Sequence, residues 1–274
     1  MDTNAPLPAR LLKEYRKMAQ RKFRTQQGKM ILEGVQLVKE ALLAGVELES
    51  LLYTPQFAAR PSAKELLAGV GKARVFPVDP ATFASIAETE TPQGIAAMAR
   101  IPEQRTDIFF QEKGFFLLLD RIQDPGNLGT IIRTAAAAGV SGIILLQGTT
   151  DPYSPKVLRS SMGGVFYVPI VHENDLPDWF EKIKRQGVQL IAADPKGTMP
   201  YYNIDFRKST AVIIGNESGG VGKMLLEKAK TKAYIPLQGK FNILNAAIAA
   251  AAFILENQRQ KEFHLIAQKP EVRN

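Results

Sequence analysis

Four polar side chains follow three apolar runs in the 274-residue chain: Asn127 and Arg133 in DPGNLGTIIRT, Glu217 in IIGNESGGVG, and Asn245 in IPLQGKFNILNAA. Their types suit the holding of a substrate. A guanidinium grips phosphate through paired N–H donors, amides orient hydroxyls, and a carboxylate accepts hydrogen bonds. Each also has a plain structural reading. Asn127 and Arg133 either cap and solubilise a helix or hold a substrate. Glu217 either binds a ligand or caps the helix that follows. Asn242 reads as an N-cap. Asn245 then falls in the first helical turn, with its side chain toward a ligand crevice.

The glycine-rich second stretch invites comparison with nucleotide loops. A P-loop needs Gly-x4-Gly-Lys-Ser/Thr, but Gly222-Lys223 is followed by Met224 and preceded five residues earlier by Glu217. The dinucleotide pattern G-x-G-x-x-G fails at Gly215-Asn216-Glu217. A nucleotide-dependent dehydrogenase is therefore excluded. The glycines still permit close backbone approach to a ligand.

Composition narrows the chemistry further. There is no cysteine, so disulfides, thiolate metal sites and cysteine nucleophiles are ruled out. The two histidines, His172 and His264, leave no His-rich metal site, and His172 after VFYVPIV is expected to be structural. The longest strongly apolar helical run, Ala246 to Leu255, has ten residues. A bilayer span needs about 20. A polar, basic start carries no apolar leader. The expectation is a soluble, cytoplasmic protein without metal. The formal net charge of +8 favours a polyanionic partner. Between Arg10 and Lys29 stand eight basic residues against Glu14 alone, interleaved with Leu11, Leu12, Tyr15, Met18 and Phe23. An amphipathic basic helix of this kind fits phosphate binding.

These side chains need elements to position them. The hydrophobic pattern divides the chain in two. In the first half MILEGVQLVKEALLAG has helical spacing and stops at Gly45, LESLLYT and ARVFPVD read as strands, and SAKELLAG as a helix. Alternating elements over so short a span predict a small α/β sandwich. The second half predicts strands at 115–120, 142–147, 165–171, 188–194, 210–215 and 232–236. Helices are predicted at 128–138, 154–162, 176–186, 223–230 and 243–257. Such a rhythm implies a mainly parallel sheet, with ligands beyond the carboxyl ends of its strands. The three polar stretches lie at those ends.

The three stretches, in this order, resemble motifs one to three of the SpoU (TrmH) family of RNA ribose methyltransferases in the SPOUT superfamily. ILEGVQLVKEAL and ETETPQGIAA are similar to the family's N-terminal substrate-binding domain, itself similar to small ribosomal RNA-binding proteins. The resemblance implies an RNA substrate-binding domain over 1–104, a linker at 105–114, a methyltransferase domain with a trefoil knot over 115–260, and a tail at 261–274. It implies S-adenosylmethionine as cofactor, held near Gly215, Ile235, Leu237, Gly239 and Leu244. Asn127, Arg133, Glu217 and Asn245 become the catalytic set, and a homodimer is implied.

The resemblance further implies an RNA substrate, ribosomal rather than transfer RNA, with transfer RNA the alternative. Arg16, Arg21, Lys22 and Arg24, with Lys156, Arg159 and Ser160, are the RNA-binding candidates. One departure stands out: Ile243 occupies the place where the family usually has serine. It motivates a second reading, a non-catalytic RNA-binding or ribosome-assembly protein on a decayed scaffold.

Overall fold

The computed structural model describes residues 6–103, 114–173, 176–240 and 243–267. The linker expected at 105–114, apart from Gly114, lies outside them, as do Asn242 and residues 268–274. Ten elements make up the first half: α1 (Ala9–Lys17), α2 (Arg21–Gln27), β1 (Lys29–Glu33), α3 (Val35–Leu43), β2 (Leu48–Tyr53), α4 (Pro55–Ala58), α5 (Pro61–Ala68), β3 (Arg74–Pro77), α6 (Pro80–Ala84) and β4 (Ile95–Arg100). The second half follows with β5 (Phe115–Asp120), α7 (Pro125–Ala137), β6 (Gly142–Leu145), α8 (Pro155–Ser161), β7 (Ile170–His172), α9 (Leu176–Arg185), β8 (Gln189–Ala193), β9 (Met199–Pro200), β10 (Thr210–Gly215), α10 (Lys223–Lys228), β11 (Thr231–Tyr234) and α11 (Ala246–Ala267).

The polypeptide forms two compact units. One takes Met1–Glu103 together with Asp151–Tyr167, and the other takes Gln104–Thr150 and Val168–Asn274. The segment Asp151–Tyr167 therefore packs with the N-terminal elements although its flanking strands, β6 and β7, belong to the second unit.

In the first unit a four-stranded sheet runs β1-β4-β2-β3, with β4 antiparallel to both neighbours and β2 parallel to β3. Tyr15 and Met18 from the α1 end join Leu52, Phe76, Phe83 and Met98 in its core. The helical reading of MILEG needs correction here. Met30 and Leu32 are buried while their neighbours are not, the period-2 pattern of a strand. Gly34, at a φ of +103°, separates that strand from α3. Glu33 then fastens the two N-terminal motifs together. Its carboxylate accepts the backbone N–H of Glu88 at 2.8 Å and the hydroxyl of Thr89.

Segment Asp151–Tyr167 docks through a buried ion pair. Arg24 donates from Nε and Nη2 to Asp151 Oδ2 at 2.9 and 2.5 Å. Its Nη1 serves the carbonyls of Met18 and Ala19, both at 2.7 Å. In the same unit α8 packs on β1, and Tyr167 donates its hydroxyl to Glu40 at 2.7 Å. The strand expected over 165–171 is shorter than its apolar run suggests. Met162 and Gly163 are left-handed, with φ of +52° and +87°, and turn the chain into a 3-10 turn at Gly164–Phe166 before β7.

The second unit is a seven-stranded sheet ordered β7-β6-β5-β10-β8-β11-β9, parallel at every pairing. All six residues of β5 are buried, as a strand covered on both faces requires. Helices α7 and α11 pack against each other. Among the described residues no helix is long and apolar enough to cross a membrane.

Candidate active site

β5 and β10 run side by side with Asp120 opposite Gly215, so their carboxyl ends finish level. Just beyond stand the two polar stretches that follow them. At the start of α7, Pro125 fills the first turn and Asp124 is the N-cap, its Oδ1 accepting the N–H of Asn127 at 2.8 Å. Capping therefore falls to Asp124, which releases the Asn127 amide for other work. That amide donates from Nδ2 to the Glu217 carboxylate and accepts at Oδ1 from Asn245 Nδ2 at 2.9 Å. Glu217 is an acceptor only, so it fixes which way round the Asn127 amide sits.

Asn245 is itself the N-cap of α11. Its Oδ1 accepts the N–H groups of Ala247 at 2.9 Å and Ile248 at 3.3 Å. The sequence reading began this helix at 243 and gave the cap to Asn242. The helix instead begins at Ala246, so Asn245 sits just before it rather than inside its first turn. One side chain both caps a helix and reaches Asn127. Three sequence-distant stretches are thus joined as Glu217–Asn127–Asn245.

The substitution series at Asn245 separates its two tasks. Asn245→Ala is expected to lose about 1 kcal/mol of stability with the cap. Asn245→Asp keeps the cap, because Asp and Asn cap about equally well. It also sets a second carboxylate competing with Glu217 for Asn127 Nδ2. Urea denaturation should show Asn245→Asp near the wild type, with methyl transfer reduced about tenfold or more. An Asp variant with full activity would show that the Asn127 contact is dispensable.

The loop after β10 is held by residues the sequence reading passed over. The buried Asp120 carboxylate accepts from Arg121 Nε and Nη2, both at 3.0 Å, and from the Gly222 N–H at 2.8 Å. Arg121 Nη2 also reaches the Gly220 carbonyl at 3.2 Å. Hydrogen bonding to Asp120 raises the Arg121 guanidinium pKa above its ordinary value. Arg121 stands at a φ of +58°, unusual for a side chain of its size. Its carbonyl accepts from Asn216 Nδ2 at 2.8 Å. Gly215 is required, because a Cβ there would collide with the backbone of Gly220 and Val221. The signal for this clasp was a single acid closing the otherwise apolar FFLLLD. A buried carboxylate must find donors.

Beside the cluster opens a cavity of about 190 Å³ whose walls include Gly215, Glu217, Ile235, Leu237, Ile243 and Leu244. Four of the five expected cofactor residues meet there. The fifth, Gly239, is exposed and is not part of its wall. Arg133 is also elsewhere. Six residues beyond Asn127 on α7, it lies about 240° further round the helix, on another face. It is exposed and makes no hydrogen bond or ion pair with a described residue. No cluster of three or more His, Cys, Asp or Glu side chains suited to a metal occurs among the described residues.

In the first unit, Arg16, Arg21, Lys22 and Lys156 are exposed. Arg16 donates to Ser85 Oγ at 2.8 Å, and Ser160 turns its hydroxyl back to the Lys156 carbonyl at 2.8 Å. Arg159 lies 4.0 Å from Glu33. Arg24 is a correction. It is 4% exposed and committed to Asp151 and two carbonyls, so it does not face a phosphate.

The SpoU rRNA methylase family matches residues 114–255, the stretch that contains the whole cluster, and an MRM3-like substrate binding domain matches residues 10–97. The chain belongs to the SpoU rRNA methylase family. Among SpoU relatives, the 23S rRNA (guanosine(2553)-2'-O)-methyltransferase RlmP of Bacillus subtilis is 37% identical over 89% of this chain and 94% of its own. The 23S rRNA (uridine(2479)-2'-O)-methyltransferase of Streptomyces viridochromogenes is 31% identical over 89% and 87%. The AdoMet-bound rRNA methyltransferase of Sinorhizobium meliloti superposes with a TM-score of 0.82 at 34% identity, covering 93% of this chain and 96% of that one. In this SpoU chain the three motifs form a single hydrogen-bonded unit, and its Glu217 lines the cavity.

Proposed function

We propose that the protein transfers a methyl group from S-adenosylmethionine to a ribose 2′-hydroxyl of ribosomal RNA. The observation that carries this is the Glu217–Asn127–Asn245 chain, whose Glu217 lines the cavity beyond β10 and β11. The cavity fits a flat, partly apolar cofactor. Leu237, Ile243 and Leu244 give it apolar wall, and Gly215 brings bare backbone to it. Gly215, Ile235, Leu237 and Leu244 would hold the cofactor, with Gly239 in the same loop. When bound, it supplies an electrophilic methyl group on a sulfonium sulfur. The chain's own task is to place a weak nucleophile in line, about 3 Å from that carbon. The Asn127 and Asn245 amides orient the ribose side, and Glu217 fixes both. Arg133 carries a permanently charged, forked guanidinium, which suits it to gripping the adjacent phosphate rather than taking a proton.

Calorimetric titration with S-adenosylmethionine tests the enzyme reading against the decayed scaffold that Ile243 suggests. Binding supports methyl transfer, and its absence sinks it. Mapping 2′-O-methyl sites across total RNA with and without the gene names the target, in ribosomal or transfer RNA. The trefoil knot and a cytoplasmic setting belong to the same proposal.

A homodimer completes the picture. Ile248 and Leu255, one heptad apart on α11, are 56% and 60% exposed. Ala251 and Ala252 lie between them in sequence. Such a stripe is the seam of a helix pair, and α7, which carries Arg133, packs beside it. Pairing there would explain why Arg133 stands apart from its own cluster: it serves the site of the second copy. Leu255→Glu is expected to yield monomers in sedimentation velocity and to lose activity. A Leu255→Glu dimer as tight as wild type would place the interface elsewhere.

A further inference from the structure

The first unit holds a second cavity, of about 110 Å³, lined by parts of α1, β1, the loop after α6, and α8. Ile31, Leu37, Ile86 and Pro155 make it apolar, and Arg16 and Ser85 are at its exposed rim. Inside it the polar groups are unequally satisfied. Both Glu33 carboxylate oxygens already accept hydrogen bonds, from the Glu88 N–H and the Thr89 hydroxyl. Ser85 accepts from Arg16 and donates to the Thr82 carbonyl at 2.7 Å. Arg159 is different. Its Nη1 is buried, has no hydrogen-bond partner, and comes no nearer than 4.0 Å to Glu33. An unmet buried donor is costly, more so on a charged group.

The missing partner is an acceptor, and the surroundings define it. An anion would meet the carboxylates of Glu33 and Glu88 in the same cavity. A neutral ligand with flat apolar faces and acceptor atoms on its edge meets none of these objections. The space is several times the roughly 10–15 Å³ that a single water needs, which leaves room for a planar ring. We propose that this cavity receives an unstacked base of the RNA substrate and that the one-third exposed Arg159 side chain turns toward it, bringing its unmet Nη1 to the base edge. Guanine fits best, because its O6 and N7 present adjacent acceptors to a guanidinium. Sequence-specific readers of RNA do take splayed-out bases in this way. The proposal rests on the RNA-methyltransferase reading and deepens it. It gives the cavity a role in target choice, with Arg159 as the specificity residue.

The test uses the full chain with labelled isoleucine methyls, titrated with the four nucleoside 5′-monophosphates and with inorganic phosphate. The expected result is that guanosine monophosphate shifts the Ile31 and Ile86 signals at lower concentration than the other three, and that phosphate alone leaves them in place. Arg159→Gln should weaken that response at least tenfold. Ala19→Trp, at an exposed position lining the cavity, should abolish it without altering the melting temperature, and stands in if Arg159→Gln fails to fold. No shift with any nucleotide, an equal response to all four, or the same shift with phosphate alone overturns the proposal. Cofactor binding is read separately by calorimetry. A chain that binds S-adenosylmethionine but no base loses this inference and keeps the methyl-transfer reading.

Discussion

Arg133→Ala is expected to reduce methyl transfer at least about a hundredfold, some 2.7 kcal/mol in transition-state terms, while leaving the melting temperature unchanged. The structural half of this follows from placement. Arg133 is exposed on α7 and bonds to no described residue, so its removal breaks no hydrogen bond or ion pair among the described residues. The chemical half follows from charge. A charge-assisted hydrogen bond to phosphate contributes about 1.5–3 kcal/mol, and a bidentate grip lies at the upper end of that range. Arg133→Lys separates the possible tasks. Lysine keeps the charge and loses the fork, so phosphate positioning predicts a largely raised KM with partial kcat. An unaltered KM with abolished turnover would instead assign Arg133 to proton handling. Loss of stability in Arg133→Ala would contradict its lack of a partner among the described residues.

Arg24→Met is expected to cost about 3–5 kcal/mol, because it strands the Asp151 carboxylate without its partner. The Arg24 side chain is 4% exposed and that of Asp151 13%. The carbonyls of Met18 and Ala19 lose a donor in the same step. The double variant Arg24→Met, Asp151→Leu should recover much of the loss, since an apolar pair of similar size replaces a buried ion pair at little cost. Two compact units need not unfold together. Hydrogen exchange of the β1–β4 ladder therefore gives the cleanest reading, as it reports on the unit that holds the pair. A loss below about 1 kcal/mol would mean that water or a neighbouring group compensates Asp151.

The parts of this protein that could be read from its residues are those written locally. FFLLLD announces a strand buried on both faces, and its closing acid marks the carboxyl end where ligands gather. Glu217 and Asn245 follow two further strands in the same way, and the structure brings both to Asn127. What escaped notice depends on distant partners. Arg24 reads as one more cation in a basic run, because Asp151, which buries it, is 127 positions away. Asp120 and Arg121 look like the fringe of a motif until the loop at Gly220–Gly222 closes on them. β1 was absorbed into a helix because MILE continues smoothly into the helical period of VQLVKEAL. Only the positive φ of Gly34 separates the two.

The segment Asp151–Tyr167 limits how the first unit can be exchanged between relatives. The backbone crosses between the two compact units three times, after Glu103, after Thr150 and after Tyr167. A chimaera joined once, in the linker, would give the transplanted head a foreign α8 and leave Arg24 facing whatever residue the host supplies at 151. A working graft has to carry residues 151–167 with the head, as two inserts rather than one. Recombination at a single crossover is therefore a poor way to exchange the first unit here.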